Sequence, residues 1–140
     1  MRARFGLVTG VAALAALATG LLTAPVHAAP AVPVEDLAAD TYLTSGQGKS
    51  SCPSGRLCLY KDVNYNADGS APILVTRVNV SWLGDYQFND AASSYYNNTS
   101  QPAVLHEHVN YGGGQLSIRS QGSGNLGTWN DKASSLQFLS

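Results

Sequence analysis

Apolar and β-branched residues along most of the chain come in short runs, and clusters of Gly, Asn, Asp, Pro and Ser separate one run from the next. This spacing is typical of strands joined by tight turns. Beyond the N-terminal segment, no stretch of ten or more residues has the apolar spacing of an amphipathic helix. The pattern therefore predicts an antiparallel all-β domain whose strands lie near residues 57–60, 73–80, 95–96, 104–109, 116–118 and 136–139.

The longest apolar run occupies residues 5–22, and two arginines precede it. Val26 and Ala28 then stand three and one positions before Ala29, which is the small-residue pattern that a signal peptidase cleaves. We therefore predict that residues 1–28 form a removable secretory signal peptide, which would leave 112 residues. A membrane anchor is the alternative, because the 18 residues of the run are near the lower length limit of a membrane-spanning helix.

Residues 29–50 are rich in Ala, Pro, Val, Ser, Thr, Gly and Asp and show no sustained hydrophobic period. This composition predicts a flexible N-terminal arm. The folded domain would then span residues 51–140. A domain of this size can form a small β-sandwich, which a disulfide or a bound metal would help to stabilise.

Without the signal peptide the chain carries six basic and nine acidic residues, a formal net charge of −3. This balance excludes a polybasic surface for nucleic acid or anionic membrane as the main function. Export would also place Cys52 and Cys58 in an oxidising environment, where two cysteines allow one intramolecular disulfide. The turn-forming residues between them favour closure, and so short a loop would stabilise the fold by about 2 kcal/mol.

Two sequence patterns occur twice in the chain. Residues 59–65 and 105–111 share Leu, Val, Asn and a final Tyr at an offset of 46, and residues 88–94 and 129–135 both read aromatic-Asn-Asp-x-Ala-Ser-Ser at an offset of 41. The first copy thus has five additional residues between its two patterns, which we place in the hairpin and loop of residues 66–79. The duplication predicts two similar halves related by a pseudo-twofold axis.

The repeated Asn-Asp-x-x-Ser-Ser loops carry oxygen atoms that suit a hard divalent cation. Ca²⁺ takes six to eight oxygen ligands from carboxylates, carbonyls, hydroxyls and water. Within each loop the Asp carboxylate and the first Ser hydroxyl, three residues apart, are predicted to converge on one ion. The alternative is that both loops are Asx and Ser turns that only end a strand. Because the loop occurs twice and follows an aromatic residue each time, the case for metal binding is stronger than for a single copy, and both alternatives stay open.

Each loop lies downstream of an element that ends in Tyr, and the pair resembles the double Greek key of the βγ-crystallins with its calcium-binding signature. The opening Cys-Pro-Ser-Gly-Arg-Leu-Cys-Leu-Tyr of residues 52–60 is similar to that of secreted bacterial proteins of peptidase inhibitor family I36. The resemblance covers residues 52–140 and implies an all-β sandwich of two Greek key motifs. Two positions depart from the pattern: Ala67 stands at an expected Gly, and His106 replaces the first aromatic residue of the second half.

The resemblance implies two Ca²⁺ sites, each shared between the halves. The carboxylates of Asp90 and Asp131 and the hydroxyls of Ser93 and Ser134 would face the ions. Each loop would be completed by one main-chain carbonyl of the other half, and the full set of carbonyl donors would be Lys61, Asn89, Ala91, Glu107, Asn130 and Lys132. Extracellular calcium modules commonly have Kd values around 10⁻⁴ to 10⁻³ M, so we expect moderate affinity and a mainly stabilising role.

Inhibition of an extracellular protease, as a metalloprotease inhibitor of the I36 type, is the alternative function that the family name implies. The loop closed by Cys52 and Cys58 contains Arg56 and Leu57, and a rigid loop of this kind could imitate a cleavage site. The resemblance associates inhibition with a further disulfide loop in the second half, whereas no Cys follows Cys58. We therefore place calcium binding first and interpret the Arg56 loop as a structural clip.

No catalytic motif is recognisable in the sequence. There is no Gly-x-Ser-x-Gly elbow, and residues 106–108 read His-Glu-His, which lacks the His-Glu-x-x-His spacing of a zinc protease. On a strand His106 and His108 would share a face, where we favour surface or half-buried positions over a transition-metal site. We predict a monomer that is not an enzyme, whose partners are calcium and, in the alternative, an extracellular protease, with neither nucleic acid nor membrane bound after signal cleavage.

Overall fold

The computed structural model describes residues 39–140, and the predicted signal peptide lies outside this part of the chain. Four-residue and three-residue helical turns connect some of the strands, at Val63–Asn66, Lys49–Ser51, Leu83–Tyr86, Val109–Tyr111 and Gly127–Trp129. The eight strands are β1 Thr41–Gly46, β2 Leu57–Tyr60, β3 Ala71–Thr76, β4 Ser94–Asn97, β5 Ala103–His106, β6 Gln115–Ile118, β7 Ser123–Asn125 and β8 Ser135–Phe138. The prediction of an all-β domain is confirmed. Within residues 39–140 no helix has the length and apolar character needed to cross a membrane.

The strands form two antiparallel sheets, and each half of the chain contributes to both of them. The larger sheet has the order β1-β3-β2-β4-β7, and the smaller one has the order β6-β5-β8. In the larger sheet β7 from the second half pairs with β4 from the first half. In return, Val80 from the first half forms a bridge with Leu136 of β8. This reciprocal exchange is the Greek key arrangement that the resemblance implied, and it joins the two similar halves that the duplication predicted.

The main hydrophobic core lies between the two sheets. Alternation along β2 places Leu57 and Leu59 in this core together with Leu105 of β5 and Leu136 of β8, and all four are fully buried. The other face of β2 is covered as well, because Cys58 and Tyr60 belong to a second buried cluster with Cys52, Ile73 and Val75. The larger sheet is therefore packed on both faces, which explains why β2 is buried at every position.

The predicted arm over residues 29–50 requires a correction, because part of it is a strand. β1 pairs with β3 over six residues, from Thr41 opposite Thr76 to Gly46 opposite Ala71. Arg77 forms an ion pair with Asp40 at 2.6 Å, just before the strand begins. The half-exposed, polar edge strand has little hydrophobic period of its own, so its pairing partner rather than its local sequence determines its conformation. The folded domain consequently begins before residue 51.

The structure also locates most of the length difference between the two halves. Ile73 of β3 lies 13 positions after its partner Tyr60, whereas Gln115 of β6 lies nine positions after its partner His106. Since Tyr60 and His106 are equivalent residues, four of the five additional residues belong to the hairpin between β2 and β3. The placement within residues 66–79 is consistent with this register, because hairpin loops accept insertions at little cost.

Candidate metal centre

Two hairpins, β2–β3 in the first half and β5–β6 in the second, fold back over their sheets. A buried serine holds each of them there. Ser94 accepts a hydrogen bond from the Tyr65 amide at 3.0 Å and donates to the Asp62 carbonyl at 2.6 Å. In the second half Ser135 makes the same two bonds, with the Tyr111 amide at 3.0 Å and the His108 carbonyl at 2.7 Å. The second Ser of each Asn-Asp-x-x-Ser-Ser loop therefore secures the hairpin, a role that sequence reasoning missed.

The two departures from the family pattern do not disturb this hairpin. Tyr60 and Tyr65 meet edge to face with ring centroids 5.6 Å apart, and His106 and Tyr111 meet in the same way at 5.8 Å. The imidazole of His106 thus takes the place of the missing aromatic ring. Ala67 has φ −61°, an ordinary right-handed value, so no glycine is needed there.

The repeated loops adopt the same backbone conformation in both halves. Asp90 and Asp131 have left-handed φ values of 50° and 55°. The side-chain amide of Asn89 donates to the Asp90 carboxylate at 2.8 Å, and that of Asn130 donates to Asp131 at 2.7 Å. Each Asn therefore orients the carboxylate of the residue that follows it. Both carboxylates lie at the exposed surface, where a cation can reach them.

Reciprocal main-chain bonds hold the two loops side by side. The Asp90 amide donates to the Ala133 carbonyl at 3.0 Å, and the Asp131 amide donates to the Ala92 carbonyl at 2.9 Å. The loops therefore form a single structural unit, although 41 residues separate equivalent positions in the sequence.

The predicted hydroxyl ligands, Ser93 and Ser134, lie beside the strand of their own half. The Ser93 amide donates to the carbonyl of Tyr60, the residue before Lys61, at 2.8 Å. The Ser134 amide donates to the carbonyl of His106, the residue before Glu107, at the same distance. Ser93 is thereby placed near the predicted Lys61 donor, and Ser134 near the predicted Glu107 donor.

The predicted pairing of Asp and Ser within one loop requires a correction. The Ser134 hydroxyl donates to the carboxylate of Asp90, in the other half, at 3.3 Å. Within residues 39–140 no hydrogen bond joins the Asp90 carboxylate to the Ser93 hydroxyl of its own loop. We define the Asp90 site as Asp90, Ser134 and Glu107, and the Asp131 site as Asp131, Ser93 and Lys61.

The predicted carbonyl donors are free to bind a ligand. Within residues 39–140, no hydrogen bond reaches the main-chain oxygen of Lys61, Asn89, Ala91, Glu107, Asn130 or Lys132. The same part of the chain contains no group of three or more His, Cys, Asp and Glu side chains that could hold a metal. A cation here would depend mainly on hydroxyl and carbonyl oxygens with one carboxylate per site. This donor set fits Ca²⁺ and does not suit a soft metal.

Arg56 and Leu57, the possible inhibitory residues, are not presented to solvent, although Ser54 and Gly55 of the same loop are exposed. The disulfide between Cys52 and Cys58 is formed, as predicted. Leu57 is fully buried, and only 7% of Arg56 is exposed. The Arg56 guanidinium donates to the carbonyls of Ala39 and Asp40 at 2.7 and 3.0 Å, so it fastens the segment before β1. The burial of both residues therefore agrees with a structural clip and not with the alternative, an exposed imitation of a cleavage site.

The two histidines of the second half do not form a joint site. His106 is 3% exposed, and neither ring nitrogen has a hydrogen-bond partner of good geometry among the described residues. Burial lowers the pKa of this imidazole, and the neighbouring Gln137 side chain offsets part of the effect. His108 lies beyond the end of β5, exposed, with its ring next to Gly113.

Comparison with known proteins now assigns the family. Residues 46–118, more than half of the chain, match the model of peptidase inhibitor family I36. The chain belongs to this family. The match includes the disulfide and the first Asn-Asp-x-x-Ser-Ser loop and ends before the second loop. A search of curated proteins gave no significant match.

Solved structures similar to this I36 family protein are βγ-crystallin domains. One, from work on the evolution of the eye-lens βγ-crystallin fold, has a TM-score of 0.59 and 21% identity, covering 70% of this chain and 97% of its own. A βγ-crystallin from Ciona intestinalis has a TM-score of 0.52 and 26% identity, with 61% and 100% covered. The N-terminal domain of protein S gives 0.51 and 17%, with 61% and 96% covered. The fold is that of the βγ-crystallins.

Proposed function

We propose that this I36 family protein is an extracellular calcium-binding module in which two Ca²⁺ ions, one in the Asp90 site and one in the Asp131 site, stabilise the fold. The proposal is carried by one observation, the 3.3 Å contact between the Asp90 carboxylate of the first half and the Ser134 hydroxyl of the second. Both groups are oxygen ligands of the kind that Ca²⁺ prefers, and they come from different halves of the chain.

The residues of each site have separate roles in this proposal. The left-handed Asp supplies the carboxylate, the preceding Asn orients it, and the reciprocal main-chain bonds keep the two loops at a fixed distance. A bound cation would supply a positive charge that attracts oxygen atoms of both halves. Because it would bind only the folded state, it would stabilise that state by about 2.7 kcal/mol at a hundredfold excess over Kd.

Calorimetric calcium titration and thermal melting test the proposal. We expect a higher melting temperature in millimolar calcium than in EDTA, because ligand binding favours the folded state. Asp90→Asn and Asp131→Asn should each lose one bound ion. Asp68→Asn is the matched control, since Asp68 is exposed and lies in the β2–β3 hairpin outside both sites. Superimposable melting curves in calcium and in EDTA would refute the stabilising role.

Peptidase inhibition is a second candidate function, and the match of residues 46–118 to the inhibitor family favours it. Because Arg56 and Leu57 are buried, inhibition would require a different exposed loop. Membership of an inhibitor family also fits a protein without catalytic activity of its own. Incubation of the mature protein with secreted metallopeptidases and serine peptidases tests this candidate. Unchanged peptidase activity at micromolar protein would eliminate it.

Secretion is the third part of the proposal and is supported by the Cys52–Cys58 disulfide, which forms readily outside the cytosol. We expect the protein in the culture medium of a secreting bacterial host, with Ala29 as its first residue. N-terminal sequencing checks this result. Full-length protein retained in the membrane fraction would instead favour the anchor.

A further inference from the structure

We infer that the two calcium sites differ in affinity and that the Asp90 site fills first. The inference rests on the proposed calcium binding and concerns the order in which the ions bind. It has two independent grounds: the contact between the ligands of each site and the charges of the residues that flank them.

The ligands of the Asp90 site are already in contact across the two halves. The Ser134 hydroxyl lies 3.3 Å from the Asp90 carboxylate, whereas no hydrogen bond joins Ser93 to Asp131 in the described part of the chain. The main chains of the two sites are nevertheless held alike, because the Ser93 and Ser134 amides each donate a 2.8 Å bond to a strand carbonyl of their own half. The difference is therefore one of side chains. Ligands that are preassembled lose less conformational freedom on binding, which favours the Asp90 site.

The flanking charges have opposite signs at the two sites. The Asp90 site includes the acidic residue Glu107, whose carboxylate lies beside Gly114, whereas the predicted carbonyl donors of the Asp131 site include Lys61 and Lys132. Both lysines are exposed, and within residues 39–140 neither forms an ion pair with a carboxylate. Their positive charges oppose an approaching divalent cation, and the carboxylate of Asp62, the exposed residue after Lys61, offsets part of this effect. This repulsion is modest at the surface and is screened by salt.

Ordered filling follows from these two differences. At calcium concentrations between the two Kd values the molecule would hold one ion, in the Asp90 site. The Asp131 site would fill only at higher calcium. Its affinity would depend on the positive charge of Lys61 and Lys132, so substitution of these lysines should strengthen it.

Calorimetric calcium titration of the mature protein, freed of metal by chelation, tests the inference. We expect two binding steps whose Kd values differ about tenfold, of which Asp90→Asn removes the tighter and Asp131→Asn the weaker. The double variant Lys61→Gln/Lys132→Gln should tighten the weaker step by about two- to fivefold per lysine, since exposed charge pairs contribute up to about 1 kcal/mol. Arg119→Gln, an exposed basic residue outside both sites, should change neither step.

Each remaining outcome counts against the inference in a distinguishable way. Two equal steps, or loss of the weaker step in Asp90→Asn, would overturn ordered filling while leaving calcium binding intact. If the Kd of the weaker step is unchanged in the double lysine variant, the charges of Lys61 and Lys132 do not weaken the Asp131 site. Absence of any binding in the unaltered protein would overturn the proposed function as well. Thermal melting in EDTA shows whether each variant is folded, so that loss of a step is assigned to the site.

Discussion

Left-handed backbone conformations at single residues give the candidate sites their shape. Nine non-glycine residues of the described part have positive φ, and five of them are Asn or Asp. These residue types tolerate the conformation because their short polar side chains can hydrogen-bond locally. At Asp90 and Asp131 the preceding Asn makes that local bond. This local bond orients each carboxylate, and that of Asp90 also contacts Ser134 of the other half.

The buried imidazole of His106 is a second single residue with a consequence for the whole fold, because it should make the free energy of unfolding depend on pH. Burial lowers its pKa in the folded state, whereas the unfolded chain binds a proton near the usual value of 6.5. The unfolded state therefore binds more protons just below pH 6.5. The free energy of unfolding should rise with pH through that window and level off above it.

Urea denaturation between about pH 5 and 8 in EDTA measures this dependence near the usual histidine pKa. His106→Tyr introduces the residue type of the equivalent position 60 and should remove the dependence that His106 contributes. His108→Gln is the control, because His108 is exposed and its replacement should preserve that contribution. An identical pH profile in His106→Tyr and the unaltered protein would show that His106 does not titrate as described.

The folded-over hairpins are the distinctive elements of each half. They depend on the second Ser of the repeated loop, which bonds one amide and one carbonyl of the hairpin. Ser94 and Ser135 are both fully buried, and the bonds that they make with the hairpins are partly buried. The repeated motif consequently has a structural role that is separate from its predicted calcium ligands.

Ser135→Ala should lower the free energy of unfolding by about 1 to 3 kcal/mol, because it removes two partly buried hydrogen bonds of the hairpin. It should also increase hydrogen exchange at the Tyr111 amide, because that amide donates its hydrogen bond to the Ser135 hydroxyl. Chemical denaturation and hydrogen exchange measure the two effects. Ser117→Ala is the control, since Ser117 is exposed on β6. Equal stability of the two variants would contradict the proposed role of Ser135.

At the scale of the whole molecule, the halves are interdependent because they exchange strand positions. β7 completes the sheet of the first half, and Val80 bridges to β8 in the second. The repeated loops are also joined by the reciprocal bonds of Asp90 and Asp131. Neither half thus closes its own sheet, and the core between the sheets contains side chains of both.

Residues 98–140 expressed alone should therefore remain unfolded, because β7 would lack β4 and β8 would lack Val80. Circular dichroism and hydrogen exchange measure this, with residues 39–140 as the folded control. Native-like protection of β5, β6 and β8 in the isolated half would contradict the interdependence of the halves.

Several features followed from residues that are close together in the sequence. Alternation and turn residues predicted the strands of the core, and the repeated motifs predicted two related halves. The disulfide spans only six positions, so its cysteines could be paired from the sequence. The same reasoning missed β1, because an edge strand of mixed polarity is ordered by its pairing with β3.

The sequence likewise predicted one part of the candidate site, and only the structure revealed the other part. The sequence by itself determined the oxygen-bearing residues of both loops, because residue type establishes which ligands are available. Only the tertiary structure decided that Asp90 meets Ser134, 44 positions away, and that Arg56 is buried as a clamp. Contacts of that kind depend on how the two sheets pack and exchange strands, and a local pattern contains no information about distances between segments remote in the chain.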